Sequence, residues 1–353
     1  MTPDPVGLLR DLVKIPSPSG QEEAVRDAVL ARLASFGVPA HAEGRNVVAV
    51  VEGAAGSDPA KGLLLCSHYD TVPAGPGWTR DPLDAALEGG FVFGRGSSDA
   101  KASIVAMMCA AASLDRARLR GRLVLALVCD EETGGQGLEA IAAGLPACTA
   151  AVVGEPTSLD VCPAQRGLLR AYVKETGRAA HASRPLEGVN AVEAAARDVL
   201  AVHAIEMKEE HPLLGRATLV ATMIQGGTRP NVIPGECTIT LDGRSTPAWD
   251  NERMVAALKK AVKGTVEVKS DRFRPCVTDP GHEIVKAAVE ASPTGRVRGF
   301  LGVSDWFHVR RLPGVVMGPG AGEYSHAPDE RVAVAQVEAA VEAYGKIAKR
   351  WLS

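Results

Sequence analysis

Short apolar runs alternate with longer amphipathic stretches along most of this chain. Leu63 to Cys66, Leu123 to Cys129, Ala150 to Val153 and Val315 to Met317 are too short for helices and rich in branched residues, so they predict buried strands. Asn46 to Val51 predicts another, joined to Leu63 by a Gly, Ala and Ser-rich turn. Asp4 as N-cap and Pro5 at the first position announce a helix with Val6, Leu8, Leu9 and Leu12 on its apolar face. Ser19 and Glu22 have capping-box spacing before a helical run from Ala24 to Phe36, which Gly37 terminates. Lys101 to Leu114 and Val332 to Trp351 read as further helices. This alternation predicts an α/β fold: a mixed doubly wound sheet with helices on both faces.

The character changes between about Gln165 and Thr278. Leu168 to Glu175, Leu219 to Gln225 and Cys237 to Arg244 are strand-like, while Ala191 to Met207 and Glu252 to Val262 are helical. The order strand, helix, strand, strand, helix, strand fits a small α+β sandwich of ferredoxin-like type. The expected division is therefore a main domain of residues 1–164 and 279–353 and an inserted domain of residues 165–278. No internal repeat or low-complexity segment interrupts it.

Composition narrows the ligand. The 353 residues are 46% hydrophobic and 23% charged, which suits a globular chain with a large core. A net charge of -3 with no basic stripe gives no nucleic acid or anionic membrane as partner and favours a small molecule. The start, Met1-Thr2-Pro3-Asp4-Pro5, lacks signal-peptide character, and no apolar stretch reaches the roughly 18 residues that spanning needs. A cytoplasmic protein is expected. Seven cysteines, without the spacing of a zinc cage, read as reduced and buried.

The chemistry lies where the apolar runs stop. Ser67-His68-Tyr69-Asp70, Asp130-Glu131-Glu132, Gly154-Glu155-Pro156 and Ser325-His326 each follow such a run, and with Asp99 they supply ligands for two metal ions. Open α/β sheets bind ligands beyond the carboxyl ends of their strands, so these segments can converge. Imidazoles and carboxylates without thiolate suit zinc, with manganese or cobalt as substitutes. Asp70 shares strand parity with His68 and can hold its imidazole in one tautomer. Of Glu131 and Glu132, one can bind metal while the other takes a proton from an activated water. A lone HxD is usually structural and adjacent glutamates usually form a solvated turn, but here the acids follow seven apolar residues. Cys66 and Cys129 share parity with His68 and Glu131; a thiolate ligand is the alternative, and a small buried hydrophobe the reading taken.

Read together, Ser67-His68-Tyr69-Asp70-Thr71-Val72-Pro73, Gly94-Arg95-Gly96-Ser97-Ser98-Asp99, Asp130-Glu131-Glu132-Thr133-Gly134-Gly135, Gly154-Glu155-Pro156-Thr157 and Ser325-His326-Ala327-Pro328-Asp329-Glu330 resemble the M20 metallopeptidase family over nearly the whole chain. The resemblance implies that Asp99 bridges two zinc ions, that His68 and Glu155 complete one site and Glu132 and His326 the other, and that Glu131 is the general base. It makes the insert a lid and dimerisation domain, implying a homodimer. His181 of that domain would stabilise the oxyanion at a neighbouring active site. Asn231 and Arg244 match positions that meet substrate, Arg244 as a bidentate donor to a free carboxylate, and Gly320 would offer a backbone N–H nearby.

Gly154-Glu155-Pro156-Thr157-Ser158-Leu159 and Gly188-Val189-Asn190-Ala191 resemble the acetylornithine deacetylase branch, whereas Gly302-Val303-Ser304-Asp305 is nearer the desuccinylase and acetyl-lysine branches. Glutamate at 155 resembles deacylases and carboxypeptidases more than aminopeptidases. The expected activity is removal of an N-acyl group from an amino acid with a free carboxylate, N-acetylornithine first. The alternatives are succinyl-diaminopimelate desuccinylase or N-acetyl-lysine deacetylase, then a carboxypeptidase or dipeptidase. In another class stands a catalytically idle metal-binding protein. Ala100, Ala102 and Gly243 depart from the usual family residues in ways that bear on packing.

Overall fold

The computed structural model describes residues 3–54, 58 and 60–353; Met1, Thr2 and the middle of the Gly, Ala and Ser-rich turn lie outside the described residues. The chain forms two compact units, one of residues 1–163, 277–298 and 304–353, the other of residues 164–276 and 299–303.

In the first unit six neighbouring strands of the main sheet run in the order Ala40–Glu43, Asn46–Val51, Arg122–Val128, Gly62–His68, Ala150–Val153, Gly314–Val316. The last four strands are parallel neighbours, and Asn46–Val51 pairs antiparallel at their side, so the sheet is mixed. Residues of both parities are buried. Leu63, Leu65, Leu123 and Leu125 enter one core with the helices Pro5–Val13, Glu23–Ser35, Lys101–Ala112, Glu283–Ala291 and Val334–Leu352. Leu64, Cys66, Val124 and Ala126 face the opposite side, where Gln136–Ile141 meets strand Arg122–Val128 and the short 3-10 helix Asp305–Val309 meets strand Ala150–Val153. Continuous apolar runs are what a sheet covered on both faces requires.

Local signals explain the first helix: Asp4 accepts hydrogen bonds from the Val6 and Gly7 amides at 3.0 and 3.1 Å, with Pro5 just inside. The capping box expected at Ser19 and Glu22 does not form. The helix starts at Glu23, the Glu22 carboxylate takes the Gly20 and Asp130 amides and an ion pair with Arg45, and Ser19 Oγ donates to Asp70. Distant partners outcompete the local cap. The closing helix starts at Val334, because Arg331–Ala333 pairs as a strand with Phe91–Phe93. Lys101, fully buried, donates to the Leu12 and Ile15 carbonyls at 3.0 and 2.8 Å, anchoring the helix that follows Asp99 to the end of the first.

The second unit has a four-stranded antiparallel sheet in the order Thr218–Gly226, Glu236–Ser245, Gly167–Thr176, Thr265–Phe273. Alternate residues of Gly167–Thr176 are buried, and Leu169, Ala171 and Val173 share a core with Ala195, Val202, Met254 and Leu258 of helices Ala191–His203 and Asn251–Ala261. Helix Ala191–His203 ends earlier than the expected Met207. Gly243 is a packing residue: a Cβ there would lie 2.9 Å from Met254 Cε. Among the described residues no helix is long and apolar enough to cross a membrane. All seven cysteines are free, six of them buried.

Candidate metal centre

Because Gly62–His68, Arg122–Val128 and Ala150–Val153 are parallel neighbours, His68, the Asp130-Glu131-Glu132 turn and Glu155 emerge at one end of the sheet. Asp99 comes to them from the loop before helix Lys101–Ala112. His326 arrives differently. It lies nine residues past Met317 rather than directly at a strand end, on a loop where its own backbone is left-handed with φ 62°.

Two triads result, His68 with Asp99 and Glu155, and Asp99 with Glu132 and His326, each with donor atoms within 4.8 Å of one another. His68 Nε2 is 3.2 Å from Asp99 Oδ1 and 4.0 Å from Glu155 Oε2; His326 Nε2 is 2.9 Å from Glu132 Oε1 and 3.6 Å from Asp99 Oδ2. The far side of His68 is also engaged, with Nδ1 3.1 Å from the Asp70 carbonyl and 3.4 Å from its carboxylate.

Asp70 does more than the sequence suggested. Its two oxygens accept the Glu131 and Glu132 amides at 3.0 and 3.1 Å, and Ser19 Oγ donates to it at 2.7 Å. One buried carboxylate thus aligns an imidazole and the adjacent glutamates.

The electrostatics are those of buried acids crowded around two imidazoles. Burial pushes the Glu155 and Glu131 carboxyls well above the usual range, and neighbouring carboxylates push further, against the opposing His68. His68 is itself raised: burial opposes its charge, but hydrogen bonds to Asp70 and Asp99 prevail. Asp99 is lowered, since its bond to His68 outweighs burial. The hydrogen bond to Glu132 raises His326. Glu155 Oε1 is buried with no hydrogen-bond partner. Three carboxylates and two imidazoles sharing one bridging acid, with an orphaned oxygen among them, fit a pair of divalent cations.

Asp305, which ends the Gly302-Val303-Ser304-Asp305 segment and was given no place in the site, sits near this cluster. Both its oxygens are buried without a partner, and burial pushes the carboxyl up to about 7. Asp130, Glu22 and Cys129 form a third close group, but Arg45 is ion-paired to both carboxylates. Burial pushes the Cys129 thiol up to about 12 and the Cys66 thiol well above its ordinary range, so both are neutral.

The remaining candidates divide. In the second unit, His181 and Asn231 are neighbours: the Ala182 amide donates to the Asn231 carbonyl at 2.9 Å. His181 Nδ1 accepts the Ser183 amide at 3.2 Å, which assigns the imidazole proton to an exposed Nε2. Arg244 already holds a carboxylate, with Nε and Nη2 donating to Asp242 at 2.7 and 3.3 Å. The Gly320 N–H expected near substrate instead donates to Gln336 Oε1 at 2.9 Å, from a backbone at φ 92° where a Cβ would meet Ser98.

The model of peptidase family M20/M25/M40 matches residues 64–350. This chain belongs to that family. It is a hydrolase acting on amides, and the family is metal-dependent. It is 34% identical to a putative [LysW]-lysine/[LysW]-ornithine hydrolase of Pyrobaculum aerophilum, over 95% of this chain and 94% of that protein. It is 31% identical to a succinyl-diaminopimelate desuccinylase of Cereibacter sphaeroides, over 99% of each. In fold it resembles an M20 family metallo-carboxypeptidase of Sulfolobus solfataricus, with a TM-score of 0.81 at 19% identity over 99% of both chains.

Proposed function

We propose that this M20 hydrolase is a two-zinc deacylase that cleaves the amide of an N-acylated diamino acid with a free carboxylate. The observation that carries the reading is the pair of triads sharing Asp99, with Glu131 one residue from the ligand Glu132. His68, Asp99 and Glu155 would hold one ion, and Asp99, Glu132 and His326 the other, with cobalt or manganese as substitutes. When bound, the ions would acidify a water and polarise the scissile carbonyl.

The protein's own groups do the rest. Glu131 takes the proton from the attacking water and returns it to the departing nitrogen as the C–N bond breaks and the acyl carbon keeps the new oxygen. Asp70 fixes both the His68 ring and the turn that aims Glu131. His181, from the lid of a partner subunit, donates a hydrogen bond from Nε2–H to the developing oxyanion. Arg244 receives the substrate carboxylate by sharing or exchanging its bond to Asp242.

A diamino acid is supported by the names of both relatives, which carry lysine, ornithine and diaminopimelate. Acetylornithine remains the first candidate because of the 154–159 segment, with the succinyl and acetyl-lysine reactions behind it. A homodimer is supported by the open edge strand Thr218–Gly226 of the second unit, where Val220, Met223 and Ile224 are exposed. The deciding experiment is amine release from acetylornithine, acetyl-lysine, succinyl-diaminopimelate, [LysW]-lysine, [LysW]-ornithine and short dipeptides, with zinc or cobalt supplied. Turnover confined to dipeptides would overturn the deacylase reading, and no bound metal with no turnover would favour an idle binding protein.

A further inference from the structure

Two segments of the metal centre end in residues to which the proposed chemistry gives no task, Arg95 before Asp99 and Glu330 after His326. Glu330 is fully buried. Its Oε1 accepts the Ser98 and Asp99 amides, both at 2.9 Å, and its Oε2 accepts the Gly96 amide at 3.1 Å and Arg95 Nη1 at 2.6 Å. Its own carbonyl accepts the Gly94 amide at 2.8 Å. One carboxylate therefore organises the whole loop that delivers Asp99.

Arg95 completes the link from the other side. Its Nη2 donates to the His326 carbonyl at 3.3 Å and to Ala74 at 3.4 Å, and its guanidinium lies 5.2 Å from the Trp78 ring. The same stretch is clamped by pairing of Arg331–Ala333 with Phe91–Phe93. Asp99 and His326 are two of the three donors of the exposed triad, and neither is held there by a strand of the main sheet.

Resting on the two-cation reading, we propose that Arg95 and Glu330 are positioning residues that set the affinity of the exposed triad, Asp99, Glu132 and His326, for its ion. The buried triad depends on them less, because His68 and Glu155 are fixed by neighbouring strands and Asp70. Supporting groups of this kind are typically worth about 10- to 100-fold in metal affinity.

Glu330→Gln keeps the shape but turns an amide NH2 toward donors, whichever way it is placed. Stepwise calorimetric zinc titration of the metal-free protein should show the second equivalent weakened about 10- to 100-fold and the first by less than about 3-fold. The cobalt spectrum at one equivalent should match wild type. Arg95→Lys retains the charge beside Glu330 but not the fork to His326, so it should weaken the second equivalent while the metal-free protein melts near wild type. Both equivalents unchanged in both variants, or both weakened equally with lower melting of the metal-free protein, would overturn the proposal. Fewer than two equivalents in wild type would instead sink the two-cation reading and this inference with it.

Discussion

The two triads share Asp99 yet are built in opposite ways. In one, His68 is 1% exposed and its ring is gripped on both nitrogens; in the other, His326 is 54% exposed on a left-handed loop residue. The buried triad is a property of the sheet, and the exposed one a property of loops braced by buried charges. Dry sites raise the cost of every unpaired group, so the first couples ligand geometry to folding stability. The second is open to solvent at His326.

The largest effect should come from the carboxylate that belongs to neither triad. Glu131→Ala is expected to lower kcat by about 100- to 10,000-fold, the range for a general base, while both metal equivalents stay bound. Wild-type turnover in that variant would remove Glu131 from the mechanism; loss of an ion would make it a ligand and redraw both triads.

His181→Ala comes next, at about 100- to 1000-fold in kcat for loss of one oxyanion donor, again with metal content unchanged. Mixing this variant with the inactive Glu131→Ala chain tests the partner-subunit assignment. Recovered turnover in mixed dimers shows a lid serving its neighbour, and strict additivity of the two inactive chains refutes it.

The contrast between the triads is put directly at risk by two histidine variants studied without metal. His68→Ala removes the buried partner of Asp70 and Asp99 and should lower unfolding free energy by about 3–5 kcal/mol. His326→Ala, half open to solvent, should change it by no more than about 0.5 kcal/mol, although each loses one zinc equivalent. Denaturant unfolding decides, and equal losses would mean that the exposed triad is as much part of the fold as the buried one.

What was legible in the sequence divides along the same line. Strand ends carrying His68, Glu131, Glu132 and Glu155 could be read because a branched apolar run followed by acid is a local pattern, as is the Asp4-Pro5 helix start. The bracing was not. Glu330 meets Asp99 across 231 residues and Asp70 meets Glu131 across 61, separations at which spacing carries no signal. The same blindness explains the misreadings: Glu22 looks like a cap until Arg45 arrives, and the Gly320 N–H looks free until Gln336 takes it. His181 and Arg244 were suggested by family resemblance alone, and no periodicity marks them.

The smallest expected effect uses crowded acids that have no imidazole and no call for a cation. In the second unit, burial pushes the Glu175 carboxyl up to about 7, and the hydrogen bond with Asp198 and its charge add to this. Asp198 accepts the Lys263 amide at 3.0 Å and the Gly264 amide at 2.8 Å. The folded chain holds the Glu175 proton until about pH 7, whereas the unfolded chain releases it near 4.5, so between those values the folded state binds more protons. Stability from this pair is therefore complete below about pH 4.5 and is lost as pH rises through 7. Relative to Glu175→Gln, wild type should lose roughly 2 °C in Tm across that window, by the same amount with and without zinc. A zinc-dependent difference would mean that the acids of the second unit share the metal centre's electrostatics, and crowding alone would no longer distinguish a metal triad from a proton-sharing pair.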